Sequence, residues 1–308
     1  MMHFHRLSEE LFTIRDWLRF TVSQFEESDI FFGHGTDNSY DEAVWLILSA
    51  LHLPHDMLHN FLDAVITEQE RKHLAHLIEQ RITKRTPTAY LVREAWLRGF
   101  KFYVDERVIV PRSFIAELLD FETNSALQDW IEYPELIHSA ADICTGSGCL
   151  GVLLADAFPD AQIDLVDISP DAIAVANINI ANYGLESRIS AIQSDMFVAL
   201  KGPDNKPKLY DLIISNPPYV DAPSMATLPT EYRNEPQIAL GSGVAGLDHT
   251  HTILREAAKH LNDDGILVVE IGHNRDALLE AYPKLAFTWL EVESGNQFVF
   301  LLTKEQLL

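Results

Sequence analysis

The sequence predicts a two-domain α/β protein: an N-terminal helical domain, a short β linker, and an open, mostly parallel sheet of seven strands. Three observations predict it. Apolar residues recur at helical spacing through the first 85 or so residues. At Thr86-Pro87 the pattern changes to short β-type runs. Beyond about residue 112, strand and helix patterns alternate, as they must where helices connect the strands of one sheet. The expected boundaries are 1–85, 86–111 and 112–308, and 308 residues suit two domains at roughly 100 to 200 residues each.

In chain order, Leu7, Leu11, Ile14, Leu18 and Val22 mark a first helix. Ser39 with Glu42 offers a capping box ahead of 43–51, and Thr67 with Glu70 another ahead of Leu74, Leu77, Ile78 and Ile82. Between the first two helices, Phe31-Phe32-Gly33-His34-Gly35 reads as a loop anchored in the core by its two rings. Residues 89–92 and 100–104 read as short strands of a β-hairpin linker turning near Gly99, and Val108 to Val110 leads into Pro111. Five helix-connected strands follow, at 140–144, 162–167, 189–193, 209–215 and 266–271. The clearest helix, 170–181, has Ser169 as N-cap and Pro170 in its first turn. Residues 287–292 and 298–302 flank Ser294-Gly295-Asn296, a hairpin signal that adds an antiparallel edge.

Hydrophobic residues make up 47% of the chain, enough for a sizeable core. Lys plus Arg number 23 against 46 Asp plus Glu, a formal charge of −23. Binding along a nucleic-acid backbone depends on Lys and Arg displacing counterions, so that charge disfavours it and favours a basic partner or a cationic small molecule. Cys144 and Cys149 are the only cysteines and form no CxxC pair, so neither a disulfide framework nor structural zinc is implied. No apolar run approaches the roughly 18 to 20 residues of a membrane span, and the N-terminus has no signal-peptide core. The expectation is a soluble cytoplasmic protein.

Asp142-Ile143-Cys144-Thr145-Gly146-Ser147-Gly148-Cys149-Leu150-Gly151 follows the first strand of the sheet and opens a helix, with Gly146, Gly148 and Gly151 in GxGxxG spacing. Glycine also serves plain helix–strand packing, so the loop alone is a weak signal. Asp167, 21 residues beyond Gly146 at the end of the second strand, adds a carboxylate placed to accept from a ribose diol. Together they point to an adenosyl ligand at the carboxyl edge of a Rossmann-like sheet. A dinucleotide pyrophosphate would sit poorly there, because no Lys or Arg occurs between Arg112 and Arg188 whereas thirteen Asp or Glu do. The sulfonium cofactor S-adenosylmethionine suits that acidic field. Asp195 is placed either to reach the adenine amine or to cap a helix.

Asn216-Pro217-Pro218-Tyr219, after the fourth strand, is the most specific signal in the chain. A turn explains the prolines but not the flanking Asn and Tyr. As a site, all four residues have a use. The Asn216 side-chain carbonyl and the Pro217 backbone carbonyl can accept both hydrogens of a planar NH₂, and the Tyr219 ring can stack on its face. Catalysis is then mostly positioning and polarisation, with no strong base required before attack.

The glycine loop, Asp167, Ser194-Asp195-Met196-Phe197 and the Asn-Pro-Pro-Tyr tetrapeptide together resemble the glutamine methyltransferases that modify protein side-chain amides. Pro111-Arg112-Ser113 with Glu117-Leu118-Leu119 is similar to the family's entry segment, and Glu235-Pro236 with Ala239-Leu240 to its downstream substrate-side motif. Residues 31–38, Asp41-Glu42-Ala43 and Gly246-Leu247-Asp248 resemble the branch acting on large-subunit ribosomal protein L-three, and the chain length fits that branch better than the release-factor branch. The resemblance implies a class I S-adenosylmethionine-dependent methyltransferase domain, S-adenosylhomocysteine as product, basic protein L-three as substrate, and a helical domain that helps recognise it. It places the cofactor on Asp142, Cys144, Thr145, Gly146, Ser147, Gly148, Asp167, Asp195, Met196 and Asn216, the amide site on Asn216 to Tyr219, and substrate-side contacts on Arg112, Glu235 and Pro236. Met196 departs from the aromatic residue common in the release-factor branch, though its sulfur can still pack on adenine. Cys144 stands where glycine is common there, and with no basic neighbour it reads as a small tolerated residue, not a nucleophile. The rival functions are release-factor glutamine methylation, adenine-amine methylation of nucleic acid, and a non-catalytic assembly role.

His55 and His59, at i and i+4, look superficially like a zinc helix, but no third ligand follows and no metal is expected. His52, His73, His76, His249 and His251 read as solvated surface residues.

Overall fold

The computed structural model describes residues 9–121 and 125–308. Its N-terminal part is built on α1 (Ile14–Glu27), α2 (Ser39–Ala50) and α3 (Glu68–Thr83). A side chain that accepts from an otherwise free first-turn N–H sets each start: Thr13, Asn38 and Thr67. The Thr67–Glu70 capping box is present, whereas the expected Ser39–Glu42 box is not. Asn38 takes that cap, and Glu42 turns into the interior to meet Arg81. Leu7 lies outside the described residues. Trp17, Phe25, Leu46, Ile47, Leu74 and Ile78 close the core of this part. Phe32 packs on it as expected, but Phe31 is exposed, its ring centroid 5.7 Å from that of Tyr232.

The strand expected over 89–92 is instead the short helix α4 (Thr88–Val92). Thr88, Ala89 and Tyr90 are buried in succession, which a half-buried strand with alternating faces would not give. The linker hairpin is β1 (Ala95–Leu97) with β2 (Phe100–Phe102). Its two-residue turn has positive φ at Arg98 and Gly99, as a tight hairpin connection requires.

The seven-stranded sheet comprises β3 (Ser139–Ile143), β4 (Gln162–Asp167), β5 (Ile189–Gln193), β6 (Tyr210–Ser215), β7 (Leu261–Glu270), β8 (Thr288–Val292) and β9 (Gly295–Thr303). The order is β5-β4-β3-β6-β7-β9-β8, with β9 antiparallel to both neighbours and the other pairings parallel. Helices α5 (Cys149–Ala157) and α6 (Pro170–Asn182) connect β3 to β4 and β4 to β5. Ser169 caps α6 and Pro170 opens it, as the sequence indicates. Between β5 and β6 the chain makes only a 3₁₀ turn, so that connection lacks the expected α-helix. Among the described residues, no helix is long and apolar enough to cross a membrane.

The chain leaves β3 toward β4 on one side, while β6 pairs on the other. This reversal opens a crevice at the strand carboxyl ends, where α/β sheets bind ligands. Register does the rest. Ile143 is paired with Ser215 and with Val166, and Asp167 with Gln193. The residues that follow, Cys144, Asn216 and Ser194, therefore gather with Asp167 on one edge.

Candidate active site

The glycine motif divides into two jobs. Gly151 is a packing residue: a Cβ there would lie 2.2 Å from Leu165 Cδ2. Gly146, at φ +56°, meets nothing within 4 Å at its Cβ position, and its N–H donates to Asp167 Oδ2 at 2.9 Å. Cys144 and Met196 also have positive φ, 64° and 46°, and their sulfurs lie 3.9 Å apart. Non-glycine residues held in this way are over-determined by their surroundings, a common mark of ligand sites.

These residues line a cavity of ≈ 130 Å³ together with Asp167, Asp195 and Asn216. Asp167 accepts from Gly146 and, through Oδ1, from the Ser169 N–H at 2.9 Å. Burial nonetheless pushes its carboxyl up, against those two bonds. The cavity's one guanidinium, Arg107, is held by Asp105 at 2.7–2.8 Å. Two carboxylates and two sulfurs with a single neutralised cation suit a nucleoside bearing positive charge, not a pyrophosphate. Burial drives the Cys144 thiol well up, so it stays protonated.

Asp142, Thr145, Ser147 and Gly148 stand behind this wall and do not line the cavity. Thr145 Oγ1 donates to Asp142 Oδ2 at 2.6 Å, and the Ser147 carbonyl accepts from Asn179 Nδ2 at 2.9 Å. They hold the loop. Pro236, expected on the substrate side, lines this first cavity with Ile238 and Ala239. His249, expected in solvent, is half-buried in the same wall with Nδ1 2.7 Å from Ser242 Oγ. Val108 and Ile109 of the linker also reach it, which nothing in their sequence signals.

A second cavity, of ≈ 320 Å³, is lined by Arg112, Asn216, Pro217, Pro218, Tyr219 and Tyr232 among others. Asn216 and Pro218 border both spaces, so the two meet there. Asn216 Nδ2 donates to the Arg112 carbonyl at 3.2 Å, which fixes the amide and leaves Oδ1 to accept. Tyr219 is held from behind: its OH donates to Glu270 Oε1 at 3.3 Å, and a Cβ on Gly272 would lie 2.6 Å from its ring. Arg112 makes a bidentate pair with Glu235, both bonds 2.6 Å, and its guanidinium lies 5.1 Å from the Tyr232 ring centroid. Burial raises the Glu235 carboxyl, but the paired guanidinium outweighs it and brings the group down to about 2.

The wall carrying Tyr232 and Glu235 is fastened to the helical domain. Glu231 is 3% exposed, and its Oε1 accepts from the Phe31 N–H at 3.1 Å and from Arg81 Nη1 at 3.4 Å. Arg81, 1% exposed, also donates to Glu42 and to the Phe31 carbonyl. Asn234 Nδ2 reaches the Arg85 carbonyl at 3.0 Å. None of these pairings was foreseen. In sequence Arg81 and Glu231 resemble ordinary surface charges, and only the fold shows them buried.

Glu270 accepts from Ser113 Oγ at 2.7 Å and the Phe114 N–H at 2.8 Å, yet burial pushes it up to about 7. A carboxyl raised above its ordinary range stabilises the fold below that range, and the contribution is lost as pH rises through about 7. Melting temperature should therefore fall from about pH 5 to about pH 8, and Glu270→Gln should flatten part of that slope. Buried Asp142, also raised to about 7, keeps the remainder. An unchanged slope in a folded Gln variant would mean the Glu270 carboxyl ionises without strain.

The His55–His59 pair does not share a continuous helix, since a 3₁₀ turn (His55–Met57) precedes the helical turn Leu58–Phe61. His55 Nε2 is instead 2.9 Å from Ser49 Oγ.

Residues 113–229 match a family model described as methyltransferase small domain. The chain is 58% identical over 305 residues to the ribosomal protein uL3 glutamine methyltransferase of Neisseria gonorrhoeae, covering 99% of both chains. It is 57% identical over 310 residues to the protein of that name from Neisseria meningitidis serogroup A, covering 100% of this chain and 99% of the relative. With the Burkholderia pseudomallei relative of the same name it shares 50% over 299 residues, 96% of this chain and 95% of that one.

Proposed function

Because the chain belongs to the ribosomal protein uL3 glutamine methyltransferase family, we propose that it transfers the methyl group of S-adenosylmethionine to the side-chain amide nitrogen of a glutamine in uL3, the large-subunit protein L-three. The observation that carries this reading is the meeting of the two cavities at Asn216 and Pro218. When bound, the cofactor supplies an electrophilic methyl group on a positively charged sulfur. Asp167 would hold its ribose, and Met196 and Asp195 its adenine. In the second cavity, Asn216 Oδ1 and the Pro217 carbonyl accept the two amide hydrogens while Tyr219 covers the face of the group. Arg112, kept in place by Glu235, shapes the wall opposite. An amide nitrogen is a poor nucleophile because its lone pair is delocalised into the carbonyl. Fixed acceptors on its hydrogens push density back onto nitrogen and aim it, which is catalysis by positioning.

The helical residues 1–85 are proposed to contribute to recognition of uL3, and the formal charge of −23 suits a basic protein substrate. A ribosomal-protein substrate favours a cytoplasmic reaction. The test is methyl-labelled cofactor with purified uL3, a peptide release factor and an adenine-containing duplex, followed by mass spectrometry. Label on a uL3 glutamine alone is expected. Label on the release factor or the duplex in preference to uL3 would overturn the assignment.

A further inference from the structure

A third cavity, of ≈ 210 Å³, lies where the helical domain meets the linker, lined by His34, Trp45, His55, Trp96, Val110 and Pro111 among others. It shares no lining residue with the two described above. Yet it abuts them in the chain, because Pro111 is followed directly by Arg112 of the acceptor cavity. His34 is 3% exposed and Trp45 8%. Neither ring nitrogen of His34, nor the indole nitrogen of Trp45, has a hydrogen-bond partner among the described residues. His34 Nε2 faces the buried Glu235 Oε1 at 3.6 Å, a long contact with that carboxylate, which leaves His34 Nδ1 and Trp45 Nε1 with nothing opposite them. Buried polar groups are nearly always paired, so two such atoms, one on each of two residues that line the same cavity, call for a ligand that pairs them.

The inventory of those atoms selects the chemistry. A neutral imidazole offers one donor and one acceptor, and an indole one donor. A carboxylate could answer only the donors, and an ammonium or guanidinium only the acceptor. An amide answers both, and its flat shape suits a wall of rings: Trp96 is 44% exposed beside His55, their centroids 5.6 Å apart. Exposed tryptophan is also a side chain that protein interfaces favour.

We propose that this cavity is a second subsite for the protein acceptor, taking a planar amide (a backbone peptide group or an Asn or Gln side chain) from a uL3 segment away from the methylated glutamine. The proposal rests on the uL3 reading above. The test compares Trp45→Phe and Trp96→Ala with the parent enzyme, using folded uL3 and the short peptide released from it that carries the modified glutamine. Trp45→Phe removes the unpaired N–H together with part of a buried ring, so its melting temperature should fall modestly with the fold kept. Its KM for folded uL3 should rise about tenfold, the loss of one hydrogen bond, while kcat, cofactor affinity and KM for the peptide stay unchanged. Trp96→Ala, at an exposed site, should raise the same KM with the fold intact. Unchanged KM for folded uL3 in either variant overturns the subsite, as does an equal rise for the peptide or a loss confined to kcat. If the parent itself leaves uL3 unlabelled, the failure belongs to the substrate assignment.

Discussion

Asn216→Ala is expected to lower turnover on uL3 at least a hundredfold while leaving S-adenosylmethionine affinity nearly unchanged. Removing one fixed contact to a reacting group commonly costs on the order of a hundredfold to a thousandfold in rate. The contact here is fixed on both sides. Asn216 Nδ2 is committed to the Arg112 carbonyl at 3.2 Å, so Oδ1 has one place to point. Asn216→Asp has the same shape but would bring a carboxylate oxygen against that carbonyl, and the two would repel. It should fail almost as badly as alanine, a result that acceptor strength alone would not give. Single-turnover rates with labelled cofactor, alongside calorimetry for cofactor binding, separate chemistry from affinity. Near-parental turnover by the alanine variant would remove Asn216 from the mechanism.

Arg81→Ala should be the most damaging substitution away from the reacting atoms. It leaves Glu42, 2% exposed, without its cation, and Glu231, 3% exposed, with only the longer contact to Arg85 Nη1 at 3.7 Å. Breaking a buried pair from one side costs about 3 to 5 kcal/mol, because the remaining charge stays out of water. The cost should fall substantially when Glu42→Gln and Glu231→Gln accompany it, since neutral amides tolerate the interior better. A cycle of single and combined variants, read by denaturant midpoint, measures that coupling. A loss under about 1 kcal/mol, the range of exposed pairs, would mean the guanidinium is effectively solvated. Activity should fall with stability, because Glu231 is next to Tyr232 in the wall of the second cavity.

What could be foreseen from the sequence was what is local. Asn216 to Tyr219 and the Gly146–Asp167 spacing are legible because each motif keeps its chemistry within one turn or one strand–helix unit. The paired sheet edge was equally visible at Ser294-Gly295-Asn296, since a tight turn constrains its own residues. Residues 89–92 read as a strand because four residues are too few for apolar spacing to tell a strand from a helical turn. Arg81, Glu231 and Glu270 escaped for another reason. A buried charge differs from a solvated one only by its partners, and these lie 150 and 157 positions away for Arg81–Glu231 and Ser113–Glu270. His249 escaped likewise, its place in the wall of the first cavity set by the long connection between β6 and β7.

The fastening of residues 231–235 to the helical domain and linker also sets an order of assembly. Glu42 and Arg81 are 39 positions apart and can pair as soon as both have been synthesised. The acceptor wall must wait, because Phe31 and Glu231 are 200 positions apart and Arg112 and Glu235 are 123 apart. Contacts of such separation close late, after the entropy of long loops has been offset elsewhere. A growing chain would thus have its N-terminal helices long before the walls of the second cavity could meet. A nascent chain on the ribosome lacks the second cavity until nearly its whole sequence has emerged.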